Sequence, residues 1–82
     1  MKRDEILLRL QKNLSQILGE DESMITEEAS FSHDLGADSL HMLEICIDTE
    51  KDFGIKIYDV DRERIEKVSD LVSYVENVTS GN

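Results

Sequence analysis

Apolar residues along the chain recur at helical spacing in three stretches, set apart by polar segments. Residues 4–18 place Ile6, Leu7, Leu10, Leu14, Ile17 and Leu18 on one stripe, with Asp4 and Glu5 at the favoured N-terminal end and Gly19 as the stop. Residues 38–53 form the second stretch. Asp38 is its candidate N-cap, Gly36 allows the tight turn leading in, and Gly54 closes it. The last stretch covers residues 69–78, where Val68, Leu71, Val72, Val75 and Val78 share a face and Ser69 can cap; its β-branched residues lower helix propensity. Residues 59–64 predict one or two further helical turns, with Ile65 and Val68 anchoring the exit. No stretch of useful length alternates with period two, and residues 80–82 read as a frayed tail.

Residues 19–37 are long for a connection, and such loops usually hold a short turn or have a function. Met24, Ile25, Ala29, Phe31 and Leu35 offer apolar anchors, so an ordered crossing held down by Ile25, Phe31 and Leu35 is expected. The predicted fold is all-α: a small four-helix bundle of three main helices and one short helix, with a long loop after the first. At 82 residues, a single domain over residues 1–82 is the sensible count.

The second stretch has two apolar faces. Met42, Ile45, Cys46, Thr49 and Phe53 make a core stripe, while Leu40, Leu43 and Ile47 make another at spacings of three and four. Glu44 and Asp48 lie beside this second stripe and Lys51 continues it. A helix in so short a chain cannot easily bury both faces. The second stripe therefore reads as aliphatic knobs flanked by carboxylates, a combination suited to transient docking.

Charge sharpens that reading. The formal net charge is −10, and between residues 13 and 50 there is no Lys or Arg. That segment holds ten acids: Glu20, Asp21, Glu22, Glu27, Glu28, Asp34, Asp38, Glu44, Asp48 and Glu50. The rest of the chain is formally neutral, so the whole excess sits in one segment. Such a field steers toward a basic partner and opposes binding to nucleic acid or to an anionic membrane surface. No apolar run approaches the roughly 20 residues that span a bilayer. The first residues lack signal or transit character, and a cytoplasmic location and a monomeric state are expected. One cysteine excludes an internal disulfide and a Cys-based zinc site.

Ser39 follows Asp38 at the first helical position, where its hydroxyl should be exposed. A helix-start serine is common by itself. A phosphoester there would sit near free backbone N–H groups and the positive end of the helix dipole, with Asp38 opposing it by like charge. His33 and His41 lie close in sequence to Asp34, Asp38 and Ser39, but nothing suggests the oxyanion hole or deep pocket that a hydrolytic triad needs. No His/Asp spacing matches a zinc site. Asp59, Asp61 and Glu63 resemble the start of a calcium loop, yet Arg64 and Asp70 stand where glycine and glutamate are required. Cys46, on the core stripe, reads as a small buried hydrophobe.

The run Asp34-Leu35-Gly36-Ala37-Asp38-Ser39-Leu40 resembles the signature of the acyl carrier protein family, in which Asp-Ser-Leu follows Leu-Gly-Ala. Upstream, Ile25-Thr26-Glu27-Glu28-Ala29-Ser30-Phe31 is similar to the family's loop. Downstream, Leu43-Glu44, the run from Glu50 to Ile57, and Ile65-Glu66-Lys67-Val68 through Tyr74-Val75 are similar to its later helices. The likeness covers nearly the whole chain.

The resemblance implies a non-catalytic four-helix carrier. It implies that Ser39 bears 4′-phosphopantetheine, transferred from coenzyme A by a separate magnesium-dependent holo-acyl-carrier synthase. Acyl chains would then ride as thioesters on the arm, and they can slip between the helices of such carriers. Asp38, Leu40, Leu43, Glu44, Ile47 and Asp48 would form the face for the synthase and for fatty-acid enzymes with basic patches. Carriers of polyketide, lipid or aminoacyl pathways share this design, and an acidic interaction module without a prosthetic group is the alternative of another class. His41, Thr49, Tyr58 and Arg62 depart from the family's usual residues and bear on the short helix and the pocket. His41 in the interface would make docking pH-sensitive.

Overall fold

The computed structural model describes residues 1–80. Four helices follow in order: α1 (Arg3–Leu18), α2 (Ser39–Phe53), α3 (Asp59–Arg62) and α4 (Val68–Thr79). A short 3-10 turn, Glu22–Met24, opens the crossing between α1 and α2. The described residues contain no strand, only an isolated antiparallel bridge between Ser30 and Lys67. The architecture is the expected small helical bundle. Of the tail predicted at residues 80–82, the last two lie outside the described residues.

The core is built from one stripe of each long helix. Ile6, Leu10 and Leu14 of α1 meet Ile45 and Cys46 of α2 and Val68, Leu71, Val72 and Val75 of α4. Leu7, Ile17, Leu18, Met42 and Phe53 pack against its margin. The valines of α4 are poor helix formers, but burial of that face outweighs the loss; packing of an amphipathic face, more than propensity, stabilises short helices. Val78, predicted for the same stripe, is exposed because α4 runs past the end of the core. Thr49 is 2% exposed on the core face of α2. Its hydroxyl donates to the Ile45 carbonyl at 2.8 Å, so it leaves no unsatisfied group behind.

The crossing is ordered as expected, with one correction. Ile25, Ala29, Phe31 and Leu35 are buried, whereas Met24 is exposed because the 3-10 turn points it outward. Gln11 of α1 donates to the Ile25 carbonyl at 2.8 Å and fixes the start of the crossing.

A second correction concerns the start of α4. Ser69 does not cap it; the helix begins one residue earlier, with Lys67 at the N-cap position. The first free N–H groups are satisfied by the crossing, Val68 donating to the Ala29 carbonyl at 3.0 Å and Ser69 to that of Glu27 at 2.9 Å. Asp70 reaches back to accept from Glu66 and Lys67 at 3.0 and 2.9 Å. With carbonyls and a carboxylate in place, no capping hydroxyl is needed. α3 is a single turn, and Ile65 and Val68 beyond it are buried as predicted.

Arginines tie the ends of the helices together. Arg3 contacts Glu27 of the crossing at 2.7 Å and Glu76 of α4 at 2.9 Å. Arg9 pairs with Asp52 at 2.7 Å and lies 4.5 Å from the centre of the Phe53 ring. No helix of the described residues is long and apolar enough to cross a membrane.

Two of the leucines of α1, Leu8 and Leu10, separate core from surface. Leu10→Ala should lower the unfolding free energy by about 2–5 kcal/mol, since Leu10 is fully buried. Leu8→Ala, at an exposed position, should stay within about 0.5 kcal/mol. Urea denaturation of both variants checks the assignment, and equal losses would contradict it.

Candidate functional site

The site is the start of α2, and the crossing sets its position. The Asp34 and Leu35 amides both donate to the Ser30 carbonyl, at 3.0 and 3.1 Å, while the Ser30 amide donates to the Asp34 carboxylate at 2.7 Å. The Ala37 amide then donates to the Phe31 carbonyl at 2.8 Å, and the Phe31 amide is held by the Glu66 carbonyl at 3.0 Å. The buried Leu35 and Ala37 side chains flank Gly36, whose φ of 65° is a left-handed conformation that side chains with a Cβ adopt at a cost. The chain is thus turned outward just before Asp38.

Asp38 is the N-cap of α2, and its carboxylate accepts from the His41 amide at 2.9 Å. The box is reciprocal: the Asp38 amide donates to His41 Nδ1 at 3.3 Å. Glutamate or glutamine usually fills the third helical position of such a box, and a histidine fills it here. The His41 backbone N–H is the main cause holding the Asp38 carboxyl below its ordinary range, with a smaller contribution from the imidazole.

Ser39 opens the helix and is exposed, and among the described residues no hydrogen bond engages its hydroxyl. Neither histidine is hydrogen-bonded to it, since His41 is occupied by Asp38. Along the outward side of α2, Leu40, Leu43 and Ile47 are 71%, 40% and 43% exposed. Glu44 beside them is exposed and Asp48 is half-buried; no ion pair among the described residues involves either. The structure therefore brings Asp38, Ser39, Leu40, Leu43, Glu44, Ile47 and Asp48 onto one helix, its exposed apolar residues separate from the core stripe on the opposite side. Cys46 belongs to that core stripe, where burial pushes its thiol up to about 11.

A cavity of about 290 Å³ lies where the crossing meets α2 and the segment after α3. Phe31, Ala37, Met42 and Ile65 give it an apolar lining, and Ser32, His33 and Glu66 are among its polar residues. Among the described residues, no group of three or more His, Cys, Asp or Glu is placed to hold a metal ion.

Comparison with known proteins gives the family. The family model described as a phosphopantetheine attachment site matches residues 9–75. An acyl carrier protein of Thermotoga maritima is 47% identical over 74 residues, covering 90% of this chain and 91% of the relative. The chain belongs to the acyl carrier protein family. A second acyl carrier protein, from an Exiguobacterium species, is 45% identical over 93% of this chain and 96% of its own length. A solved acyl carrier protein structure from Enterococcus faecalis superposes with a TM-score of 0.80 at 32% identity, covering 96% of this chain and all of the other. The family consists of carriers, not enzymes, and its prosthetic group is 4′-phosphopantetheine. An exposed hydroxyl with no competing partner, at a helix start, fits such a group.

Sequence reading placed His41 near the site but did not pair it with Asp38. The available signal was its spacing, three residues after an N-cap.

The cap carries a pH signature. A carboxyl with a lowered folded pKa contributes stability above its unfolded value, near 4, and loses it as pH falls through the folded value. Asparagine caps about as well and does not titrate. The stability advantage of the parent over Asp38→Asn should therefore shrink as pH falls below about 4. Urea midpoints measured for both proteins across that range check this, and a constant difference would contradict it.

Proposed function

We propose that this chain is a single carrier domain that holds acyl chains on 4′-phosphopantetheine attached to Ser39 and delivers them to enzymes of fatty acid synthesis. The observation that carries the reading is the free, exposed hydroxyl of Ser39 at the first residue of α2, one position after a carboxylate cap. In attachment, the Ser39 oxygen forms a new bond to the pantetheine-side phosphorus of coenzyme A. The pyrophosphate bond breaks, 3′,5′-adenosine bisphosphate leaves, and the hydroxyl proton passes to a base of the synthase. When attached, the arm supplies a terminal thiol that holds acyl groups as thioesters. The role of the chain's own residues is presentation: α2 fixes the attachment point, and the crossing fixes α2.

The docking face in this reading is Asp38, Leu40, Leu43, Glu44, Ile47 and Asp48. Exposed aliphatic side chains supply contact area, and the carboxylates, of which Glu44 and Asp48 have no ion-pair partner among the described residues, supply orientation and on-rate toward a basic enzyme. In this reading part of an acyl chain rests against Phe31, Ala37, Met42 and Ile65 in the cavity beside the start of α2, whose remaining lining is polar.

Incubation with a holo-acyl-carrier synthase, magnesium and coenzyme A should raise the intact mass by one phosphopantetheine. Ser39→Ala should abolish the rise while keeping the helical circular dichroism spectrum. A parent protein that never gains this mass would refute the attachment site and leave the interaction-module alternative standing.

The double variant Glu44→Lys/Asp48→Lys tests the face. Reversing two charges should slow loading about tenfold or more at low salt. The deficit should narrow toward 1 M salt, where the screening length falls to about 3 Å. Equal loading rates for variant and parent would move the docking surface elsewhere.

A further inference from the structure

The cap before Ser39 contains an atom with two alternative partners. His41 Nδ1 lies 3.3 Å from the Asp38 amide nitrogen and 3.1 Å from the Asp38 carboxylate oxygen Oδ1. Without a proton, Nδ1 is an acceptor and can take the Asp38 N–H, completing the reciprocal box, but its lone pair then faces a carboxylate oxygen. With a proton, Nδ1 can no longer accept from that amide and donates to the carboxylate instead. Both partners lie within reach of Nδ1, the amide as a hydrogen bond and the carboxylate at ion-pair distance, so the exchange asks the ring to re-aim this one nitrogen rather than to leave the cap. The other half of the cap, the His41 amide donating to Asp38, persists in both. The helix start therefore survives the exchange, and what changes is charge: an exposed carboxylate one residue before Ser39 acquires an adjacent cation.

We propose that His41 is a positioning residue for prosthetic-group attachment, its Nδ1 proton switching it from the Asp38 amide to the Asp38 carboxylate and thereby masking the acid beside Ser39 that a basic synthase would grip. The inference rests on the assignment of Ser39 as the attachment point and of Asp38 to the docking face. Glutamate or glutamine at this position would accept from the Asp38 amide at every pH in this range and could not perform the exchange. The Asp38 carboxyl, held below its ordinary range, stays ionised while imidazoles titrate, so the change of charge belongs to the ring.

Other charged groups surround this end of α2 without competing for the ring. Asp38 is the one ion-pair partner of His41 among the described residues. Glu44 follows it on the same helix. From the crossing, Asp34 is engaged by the Ser30 amide, while His33 lines the neighbouring cavity together with Glu66 from the lead-in to α4. Arg62 of α3 sits further along, near Cys46, and pairs with Asp59. His33 and its surroundings are shared by the parent and a protein altered only at position 41.

His41→Gln keeps an acceptor for the Asp38 amide and removes the titration. Attachment should be followed with an acyl-carrier-type synthase, magnesium and coenzyme A between pH 8 and 5.5. The ratio of kcat/KM for His41→Gln to that of the parent should rise about threefold as pH falls, since one masked surface charge changes steering by about that factor. Taking the ratio at each pH removes the synthase's own titration, and a purely structural role would shift it equally at every pH. A flat ratio would overturn the proposal while leaving Ser39 in place. A second measurement needs no synthase. In 1H–15N NMR spectra of the parent, the Asp38 amide signal should move across the same pH range as it loses Nδ1, and in His41→Gln it should stay fixed. A stationary Asp38 signal in the parent would overturn the exchange. Absence of any mass gain in the parent, with the Asp38 signal moving, would instead refute the attachment reading and with it the role assigned to His41.

Discussion

The presentation of Ser39 depends on a backbone seam between the crossing and the start of α4. Carbonyls of Glu27 and Ala29 accept from the first amides of α4, and the Phe31 amide donates back to Glu66. Each of these groups would otherwise be an orphan, either at a helix terminus or in a loop without ladder partners. One set of bonds thus ends a loop and begins a helix. Phe31 is then held on both sides, since its carbonyl takes the Ala37 amide that turns the chain into α2. The position of an exposed serine is traced back through hydrogen bonds and buried side chains to a helix almost thirty residues downstream. A loop so anchored can remain polar and acidic outside while behaving as part of the scaffold.

Charge segregation follows from the same economy. The cations lie outside residues 13–50, and three of the arginines are committed to internal pairs: Arg3 to Glu27 and Glu76, Arg9 to Asp52, and Arg62 to Asp59. Exposed pairs of this kind stabilise little individually. Their consequence for the surface is larger. By neutralising acids at the ends of the helices, they leave Glu44 and Asp48 on α2 as carboxylates without an internal partner among the described residues. The field of the acidic segment is therefore most available on the one helix that also exposes Leu40, Leu43 and Ile47.

Much of this was legible in the sequence, for identifiable reasons. Strong stripes such as Ile6, Leu10 and Leu14 announce both a helix and its buried side, and the double stripe of residues 38–53 announced a face that the core could not cover. Ser39 was legible because position after a cap determines exposure. What escaped were features set by tertiary partners. Ser69 looked like a cap, but carbonyls from a distant loop already occupied the amides a cap would serve. Met24 looked like an anchor in a polar stretch, yet the local turn decided its direction. Val78 continued a periodic pattern beyond the point where neighbouring helices exist to bury it. The Asp38–His41 pairing is local, but its chemistry lies in which atom of the ring faces which oxygen, and spacing alone does not specify that.

The two faces of α2 also explain why a carrier tolerates exposed aliphatic residues. Burying a Leu or Ile completely stabilises by about 1.5–3 kcal/mol, so a helix that leaves Leu40 mostly and Leu43 and Ile47 partly in water forgoes folding free energy. The core face supplies enough: Ile45, Cys46 and Thr49 are buried, and Arg9 and Asn13 of α1 hold the C-terminal end through Asp52. What folding leaves unused on the outer face would be available on contact with a docking partner, offset by the cost of association. In the docking role proposed for this face, limited apolar area would keep each complex short-lived, while the carboxylates would raise the rate of encounter. A carrier that hands cargo between enzymes requires that pairing of fast arrival and easy release, and the proposed docking face would supply it because one helix has more apolar positions than its own domain can bury.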